Sequence, residues 1–421
     1  MAFWMIALGS MPVVAQNTLD YFIGQAHKNS PLIVSYRNQK AIDAEEMLRL
    51  KAAYTHSRLE LTGDWLVVPI LSKDDGTTRF KVDAQNASSY AGYDLGQTSS
   101  HLNAGLNWMK PLTGAKGLKD EVDLLKISQA LSDNQIQLTE HELTRLVTEQ
   151  YLLCELDAEN QHSFQAIDTL IANEMEMVTK LSNRGLASPT DVQLLKIERQ
   201  SNDNRKQAAR QSFLAHHAEL NTLCGIQDTT TLVPAAIDLQ PLPASSSSAF
   251  LQQYRLDSLQ AHAQYRTYLN LYRPQLSAYA DAGTQTGVFQ DVYKRWGASA
   301  GLHLSWTLSD GKQLQNRKRQ MALQQNTTEV ERQHTQLVRQ TNLRSALEQI
   351  KLQDLLIQQA DHQLADYVKL LADFQKEILA GRRSAVDYVN LLQSYRQQVS
   401  ALNEMKINRK LLVNTYNYWN W

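Results

Sequence analysis

The chain has 421 residues, of which 20% are charged, and its formal net charge is −1. A net charge so close to zero argues against nucleic acid as a partner, because nucleic-acid-binding surfaces are strongly basic. Outside a mixed N-terminal segment no apolar stretch reaches the roughly 18 residues of a membrane-spanning helix, so we predict no transmembrane helix in the mature chain.

Residues 1–15 resemble a secretory signal peptide. The segment is apolar and ends in Val13-Val14-Ala15 before Gln16, which matches the apolar core and small-residue cleavage site of such signals. A positively charged start is missing, so we interpret the segment as a truncated signal peptide. The alternative is a buried N-terminal helix, which Pro12 disfavours because proline interrupts helices.

Four segments alternate apolar and polar residues with period two, which predicts strands with one apolar and one polar face. Their apolar positions are Leu59, Leu61, Trp65 and Val67; Leu102, Ala104, Leu106 and Trp108; Leu276, Ala278, Ala280 and Ala282; and Ala298, Ala300, Leu302, Leu304, Trp306 and Leu308. This pattern is typical of outer-membrane barrel strands and equally of a soluble sheet that packs on a core.

Four strands cannot close a barrel, and an open sheet edge in lipid leaves backbone N–H and C=O groups unsatisfied. A membrane barrel would therefore need strands from identical neighbouring chains. Two chains would supply eight strands and three would supply twelve, and the pattern fits both.

Two segments, 117–182 and 312–379, contain no proline and no internal glycine, and Leu, Gln, Glu and Lys dominate them. Each predicts one helix of about 65 residues, or roughly 100 Å at 1.5 Å per residue. Such helices are typical of a hollow bundle or of a hairpin spike, and periodicity does not separate the two.

Both long segments end in matched turns that predict helical hairpins. Gly185 and Gly381 suit the left-handed position after a helix, Ser188 and Ser384 suit helix N-caps, and an Asp follows three residues after each serine. The regular offset between such landmarks indicates an internal duplication. We predict a first repeat at 16–226, a linker at 227–245 and a second repeat at 246–421.

Chemistry-bearing motifs are missing from the sequence. We find no HExxH, CxxC, GxSxG or phosphate-binding glycine loop, and therefore predict no enzyme activity, no catalytic residues, no metal and no cofactor. Cys154 and Cys224 lie at unequal distances from Gly185, so antiparallel helices would hold them about 12 Å apart in register. We predict two free, buried thiols rather than a disulfide.

The chain resembles the TolC family of bacterial outer-membrane efflux proteins over nearly its whole length. The resemblance rests on Asn29-Ser30-Pro31, on Arg273-Pro274-Gln275-Leu276, on Trp306-Thr307-Leu308-Ser309-Asp310-Gly311 and on the paired Gly-x-x-Ser/Thr-x-x-Asp turns. It implies a mainly α fold with β structure: a trimeric outer-membrane β-barrel with four strands per chain, continued by a long periplasmic α-helical barrel. It also implies an exit duct that works with a periplasmic adaptor and an inner-membrane pump, in the outer membrane of a Gram-negative bacterium.

The resemblance implies a gate at the second turn. Asp387 matches a ring of aspartates that narrows the pore, and Arg383 matches an arginine that holds it shut. A second aspartate of the family is Asn390 here, which leaves a single acidic ring. The alternative for Asp387 is a purely structural role at the third position of its helix.

Candidates for contact with the adaptor are the turn residues Gly185, Leu186, Ala187, Gly381 and Arg382, together with Arg383. Aromatic residues at or beyond the strand ends match the girdles of a lipid-exposed barrel, although some of them would suit a core. These residues are Trp65, Trp108, Trp296 and Trp306, with Tyr90, Tyr93 and Tyr293.

Two loops would join the strand pairs on the extracellular side, 72–100 and the shorter 289–295. The alternative function is a soluble periplasmic adaptor or scaffold, in which the long hairpins act as a spacer. That alternative explains the helices well and the duplicated strand pairs with their aromatic flanks less well.

Overall fold

The structure, a computed structural model, describes residues 18–67, 70–72, 79–81, 100–228, 234–243, 248–286 and 289–421. The predicted signal peptide at 1–15 lies outside the described residues. So do Tyr90, Tyr93 and most of the predicted loop at 72–100.

Seven helices and six strands follow one another in the described residues. The helices are α1 (Leu19–Asn29), α2 (Pro31–Thr55), α3 (Ala115–Ser182), α4 (Pro189–Cys224), α5 (Ala249–Leu269), α6 (Gln313–Leu379) and α7 (Ala385–Trp419). The strands are β1 (Arg58–Val67), β2 (Ile70–Ser72), β3 (Arg79–Lys81), β4 (Ser100–Pro111), β5 (Gln275–Thr286) and β6 (Trp296–Ser305), and short 3-10 helices cover Asn270–Tyr272 and Phe289–Lys294.

The predicted long helices agree with α3 and α6 to within about two residues at each end. The last predicted strand was too long, because its alternation runs on to Leu308 whereas β6 ends at Ser305. Ser305 pairs with Gln275, the first residue of β5, so the described ladder between these two strands ends there.

The described residues form two compact units. One unit takes its residues from Met1–Asn38, Ser132–Tyr254 and Val330–Trp421, and the other from Gln39–Leu131 and Arg255–Glu329. The second unit contains the sheet, and the first contains both hairpin ends.

The sheet is antiparallel, with the strand order β1-β4-β5-β6. Register sets Leu61 beside Leu106, and Leu106 beside Ala282, so the predicted apolar positions share one face. This face is open in the single chain: Leu61 is 77% exposed and Leu302 is 66% exposed.

The opposite face of the sheet is polar. Asn107 Nδ2 donates to Thr62 Oγ1 at 2.7 Å, and Ser299 Oγ donates to Asp281 Oδ2 at 2.6 Å. Cross-strand polar pairs of this kind stabilise a sheet whose face is hydrated. The period-two prediction of one apolar and one polar face is confirmed.

The main core of the first unit joins the ends of the two hairpins. We call it the tip cluster; its buried members are Phe164, Ile167, Ile171, Val178, Leu195, Ala209, Leu371, Ile378, Ala385, Tyr388, Val389, Leu391 and Leu392. They come from α3, α4, α6 and α7. The two hairpins therefore share one apolar core near their turns.

A buried ion pair crosses between the hairpins. Arg396 on α7 donates to Glu198 on α4, and their side chains are 7% and 5% exposed. Gln393 Nε2 donates to the other oxygen of Glu198 at 2.7 Å. Because both carboxylate oxygens are bonded, the charge of Glu198 is compensated inside the core.

Both cysteines belong to a second core cluster, formed around Phe22, Val147 and Tyr151. Cys154 and Cys224 are free and buried, so the prediction of two separate thiols is confirmed. Burial raises the pKa of each thiol to about 12.

Part of the predicted linker, 234–243, forms neither helix nor strand. Asn417 on α7 accepts a bond of 2.8 Å from the Leu242 N–H, and Asn420 donates to the Pro243 carbonyl at 2.7 Å. The segment is thus tied to the C-terminal end of the chain. The boundaries of the two repeats stay a prediction.

None of the helices in the described residues combines the length and the apolar character that a membrane span requires.

Replacing Arg396 by alanine should lower the free energy of unfolding by about 3–5 kcal/mol, since it leaves the buried charge of Glu198 without its ion-pair partner. Thermal and denaturant unfolding of the purified protein would measure the loss. The matched control is Arg344→Ala, which removes an exposed pair with Glu348 on α6 and should change stability by less than about 0.5 kcal/mol. Equal effects of the two variants would contradict this assignment.

Candidate functional site

The first hairpin turns through Gly185, which adopts a left-handed backbone with φ 74°. Its N–H donates to the Ser182 carbonyl at 2.9 Å, and the Leu186 N–H donates to the Leu181 carbonyl at 2.9 Å. This pair of bonds is a Schellman motif, which satisfies carbonyls that the end of α3 would leave free.

The second hairpin ends in the same way. Gly381 has φ 67°, its N–H donates to the Ile378 carbonyl at 3.0 Å, and the Arg382 N–H donates to the Glu377 carbonyl at 2.9 Å. The two turns therefore have the same backbone conformation although their side chains differ.

Capping boxes start the returning helices. The Asp191 carboxylate accepts the Ser188 N–H at 3.2 Å, and the Asp387 carboxylate accepts the Ser384 N–H at 3.4 Å. The N-cap prediction is confirmed for both serines. Within one chain, Asp387 thus has the structural role that was the alternative to a gate.

Arg383 contacts the preceding helix rather than Asp387. Its Nε donates to Glu377, and its guanidinium lies 4.0 Å from the centre of the Phe374 ring. Asp387 and Asn390 are exposed and lie one turn apart on α7, so they share a face of that helix.

The predicted adaptor-contacting residues divide into two groups. Gly185, Gly381 and Arg382 are exposed, and Leu186 is 69% exposed. Ala187 instead packs against the tip cluster. Ala187 therefore helps to fix the turn, and the exposed surface comes from the other five candidates, which include Arg383.

One residue of the hairpin ends was not predicted. Glu174 on α3 is 1% exposed, and burial is the main cause that raises the pKa of its carboxyl to about 7. Its spacing from Ile167, Ile171 and Val178 follows a three-or-four pattern, which sets it on the buried face of the helix. That spacing was the available signal.

The four tryptophans lie near the two ends of the strands. Trp65 and Trp296 are near the end where β1 finishes and β6 begins, while Trp108 and Trp306 are near the opposite end. Trp65 and Trp296 are each 73% exposed and Trp306 is 57% exposed, whereas Trp108 is half-buried.

Across the described part of the chain, no three His, Cys, Asp or Glu side chains come together as a group that could hold a metal ion.

Solved structures with the same fold include proteins described as outer membrane channels. The chain superposes on the Campylobacter jejuni CmeC outer membrane channel with a TM-score of 0.70 and 13% identity, covering 96% of this chain and 85% of CmeC. For the outer membrane protein VceC of Vibrio cholerae the TM-score is 0.71 with 12% identity, covering 96% and 95%. For the open state of the Neisseria gonorrhoeae MtrE outer membrane channel it is 0.67 with 14% identity, covering 96% and 88%.

No sequence profile of a protein family matches the chain, and no curated protein sequence matches it. Identities of 12–14% carry the fold alone. A four-stranded sheet combined with long helical hairpins defines the architecture. It is the fold of the TolC family of outer-membrane channels, as the sequence predicted.

Gly381→Ala should lower the free energy of unfolding by about 1–2 kcal/mol, because a Cβ is disfavoured in left-handed backbone. No neighbouring atom lies within 4 Å of the added Cβ, so no clash adds to this cost. Denaturant unfolding would measure this loss. Gly24→Ala is the control: Gly24 has equally open surroundings but lies inside α1, so the change should stabilise by about 0.5–1 kcal/mol. The same sign for both variants would contradict the argument.

Proposed function

We propose that the protein is a homotrimeric outer-membrane channel, which serves as the exit duct of a tripartite efflux or type I secretion system in a Gram-negative bacterium. It would conduct its cargo passively, with a periplasmic adaptor and an inner-membrane pump as partners and the outer-membrane lipid as its surroundings.

The observation that carries this proposal is the open sheet with one apolar face. The outer strands, β1 and β6, each pair with one neighbour, β4 and β5 respectively. Lipid tolerates neither free strand edges nor a polar outer face. A closed ring of strands removes the free edges, and the apolar face of the sheet would form its outer surface. Three chains would contribute twelve strands, enough for a barrel with a lumen.

The tryptophans support the same orientation of the sheet. Two of them mark each end of the strands, as aromatic residues do at both interfaces of a membrane barrel. With the apolar face toward lipid, the polar face with Asn107, Asp281 and Ser299 would line the lumen.

The structural neighbours also support the role. CmeC and MtrE are described as outer membrane channels and VceC as an outer membrane protein. Their shared fold over 96% of this chain favours a channel over a soluble scaffold, which would leave the exposed leucines of the sheet in water.

The gate would lie at the second hairpin end. Three chains would bring three Asp387 carboxylates together, and a ring of carboxylates favours cations. Asn390 contributes no charge, so the ring would be single. The exposed residues Gly185, Leu186, Gly381 and Arg382 are the surface we propose for the adaptor.

Cell fractionation and light scattering would test the proposed assembly. We expect the protein in the outer-membrane fraction, and after detergent extraction a mass of three chains of 47.7 kDa each. A monomer in the periplasmic extract, soluble without detergent, would contradict the channel and favour the scaffold.

Asp387→Ala should raise single-channel conductance in planar bilayers or remove block by divalent cations, because it deletes the acidic ring. Asp191→Ala is the matched control, since it removes the equivalent capping box from the first hairpin. Both variants should lose about 1 kcal/mol of stability through the lost cap. If conductance and block change equally in both, or in neither, Asp387 serves only as a cap.

A further inference from the structure

Glu174 is a buried carboxyl group between the two hairpin ends. The residue is 1% exposed, and within the described residues neither of its carboxylate oxygens accepts a hydrogen bond of ordinary length and angle. It lies on α3 between Ile171 and Val178, which both belong to the tip cluster. An ionised carboxylate at this position loses its hydration and gains no ion pair in return.

In the described part of the molecule no cationic side chain is among the groups that lower the pKa of Glu174. On α6 the Gln375 amide offers a weak compensation, which lowers the pKa of Glu174 by less than burial raises it. The same amide donates to the hydroxyl of Tyr388 on α7 at 3.3 Å, and Tyr388 is fully buried. From α4 the tip cluster receives Val192, Leu194, Leu195 and Ala209, none of which titrates.

Tyr388 stays neutral across the physiological range, because burial first and the nearby Glu174 charge second raise its pKa to about 12. Glu174 is therefore the group in this set that changes charge between acid and neutral pH. Glu174 also interacts with Tyr388, which directly follows the proposed gate residue Asp387 in the sequence.

We propose that Glu174 makes the packing of the two hairpin ends sensitive to protons: the ends pack tightly when its carboxyl is neutral and loosen when it is ionised. A role of this proton-sensitive packing in gating rests on the proposed channel function. The packing itself is independent of that function, because Glu174 and its neighbours all belong to one chain.

The direction of the pH dependence follows from linkage. Burial raises the pKa of the Glu174 carboxyl from its ordinary value of 4.5 to about 7. Below pH 4.5 the carboxyl is protonated in both the packed and the opened state, so its burial has no pH-dependent cost. As the pH rises from 4.5 toward about 7, ionisation favours the opened state and the packed state loses stability. Above that value the penalty is constant. The gap between 4.5 and about 7 limits the change in the opening equilibrium to about 300-fold.

Hydrogen exchange of the detergent-purified full chain, followed by mass spectrometry, would test the proposal. The wild type and Glu174→Gln are compared at the same pH, so intrinsic exchange rates cancel. At pH 8 we expect peptides from the tip cluster to exchange about ten-fold or more slowly in the variant. At pH 4.5 the two proteins should exchange alike.

Glu176→Gln is the matched control, because Glu176 lies two residues further along α3 with a side chain 69% exposed and paired to Lys180. It should leave exchange at the tip cluster unchanged. Glu174→Met removes the polar group altogether and should protect the hairpin ends at both pH values, which keeps the test valid if the glutamine variant folds poorly.

Equal exchange of wild type and Glu174→Gln at pH 8, or a difference of the same size at pH 4.5, would overturn the proposal. Hydrogen exchange reports packing whether or not the protein conducts ions. A protein that forms no channel would therefore count against the proposed function and leave the proton-sensitive packing standing.

Discussion

Backbone hydrogen bonding along the two outer strands is the constraint on which the proposed assembly depends. Among the described strands, β1 and β6 each have one partner strand, and the four strands of the sheet together present an apolar face. A free edge and an exposed apolar face are both unfavourable, the edge in lipid and the face in water. One arrangement removes both problems, since copies of the chain that pair edge to edge close the sheet and turn its apolar face to lipid. Pairing between copies follows from this geometry, and the trimer we propose is a closure that it allows.

The two hairpin ends have the same backbone conformation but present different side chains at their surfaces. Both turns use a left-handed glycine, a Schellman motif and a capping box, so the path of the chain is the same in each. Leu186 follows the first glycine and Arg382 the second, so one turn has an apolar side chain where the other has a basic one. Beneath them the tip cluster and the Arg396–Glu198 pair join the two hairpins, so neither end is positioned by its turn alone.

Local features of this fold could be predicted from the sequence, and contacts between distant segments could not. The glycines, the capping serines and the alternation of the strands act within a few residues, so their spacing was sufficient. The pairing of Arg396 with Glu198 depends on the register between α7 and α4, which no local pattern encodes. The alternation continues past Ser305 and predicts a strand that includes Trp306, whereas the pairing with β5 ends at Ser305. The burial of Glu174 is indicated only by its spacing from Ile171 and Val178, and a charged residue type ordinarily indicates an exposed position.

The two buried cysteines have a practical consequence for chemical labelling. Maleimides and related reagents attack the thiolate, and burial keeps both thiols protonated by raising their pKa to about 12. A cysteine engineered at an exposed position, such as Leu186, would therefore be the reactive thiol among the described residues. Fluorophores or spin labels could follow the movement of the hairpin ends without first removing the native cysteines from the core.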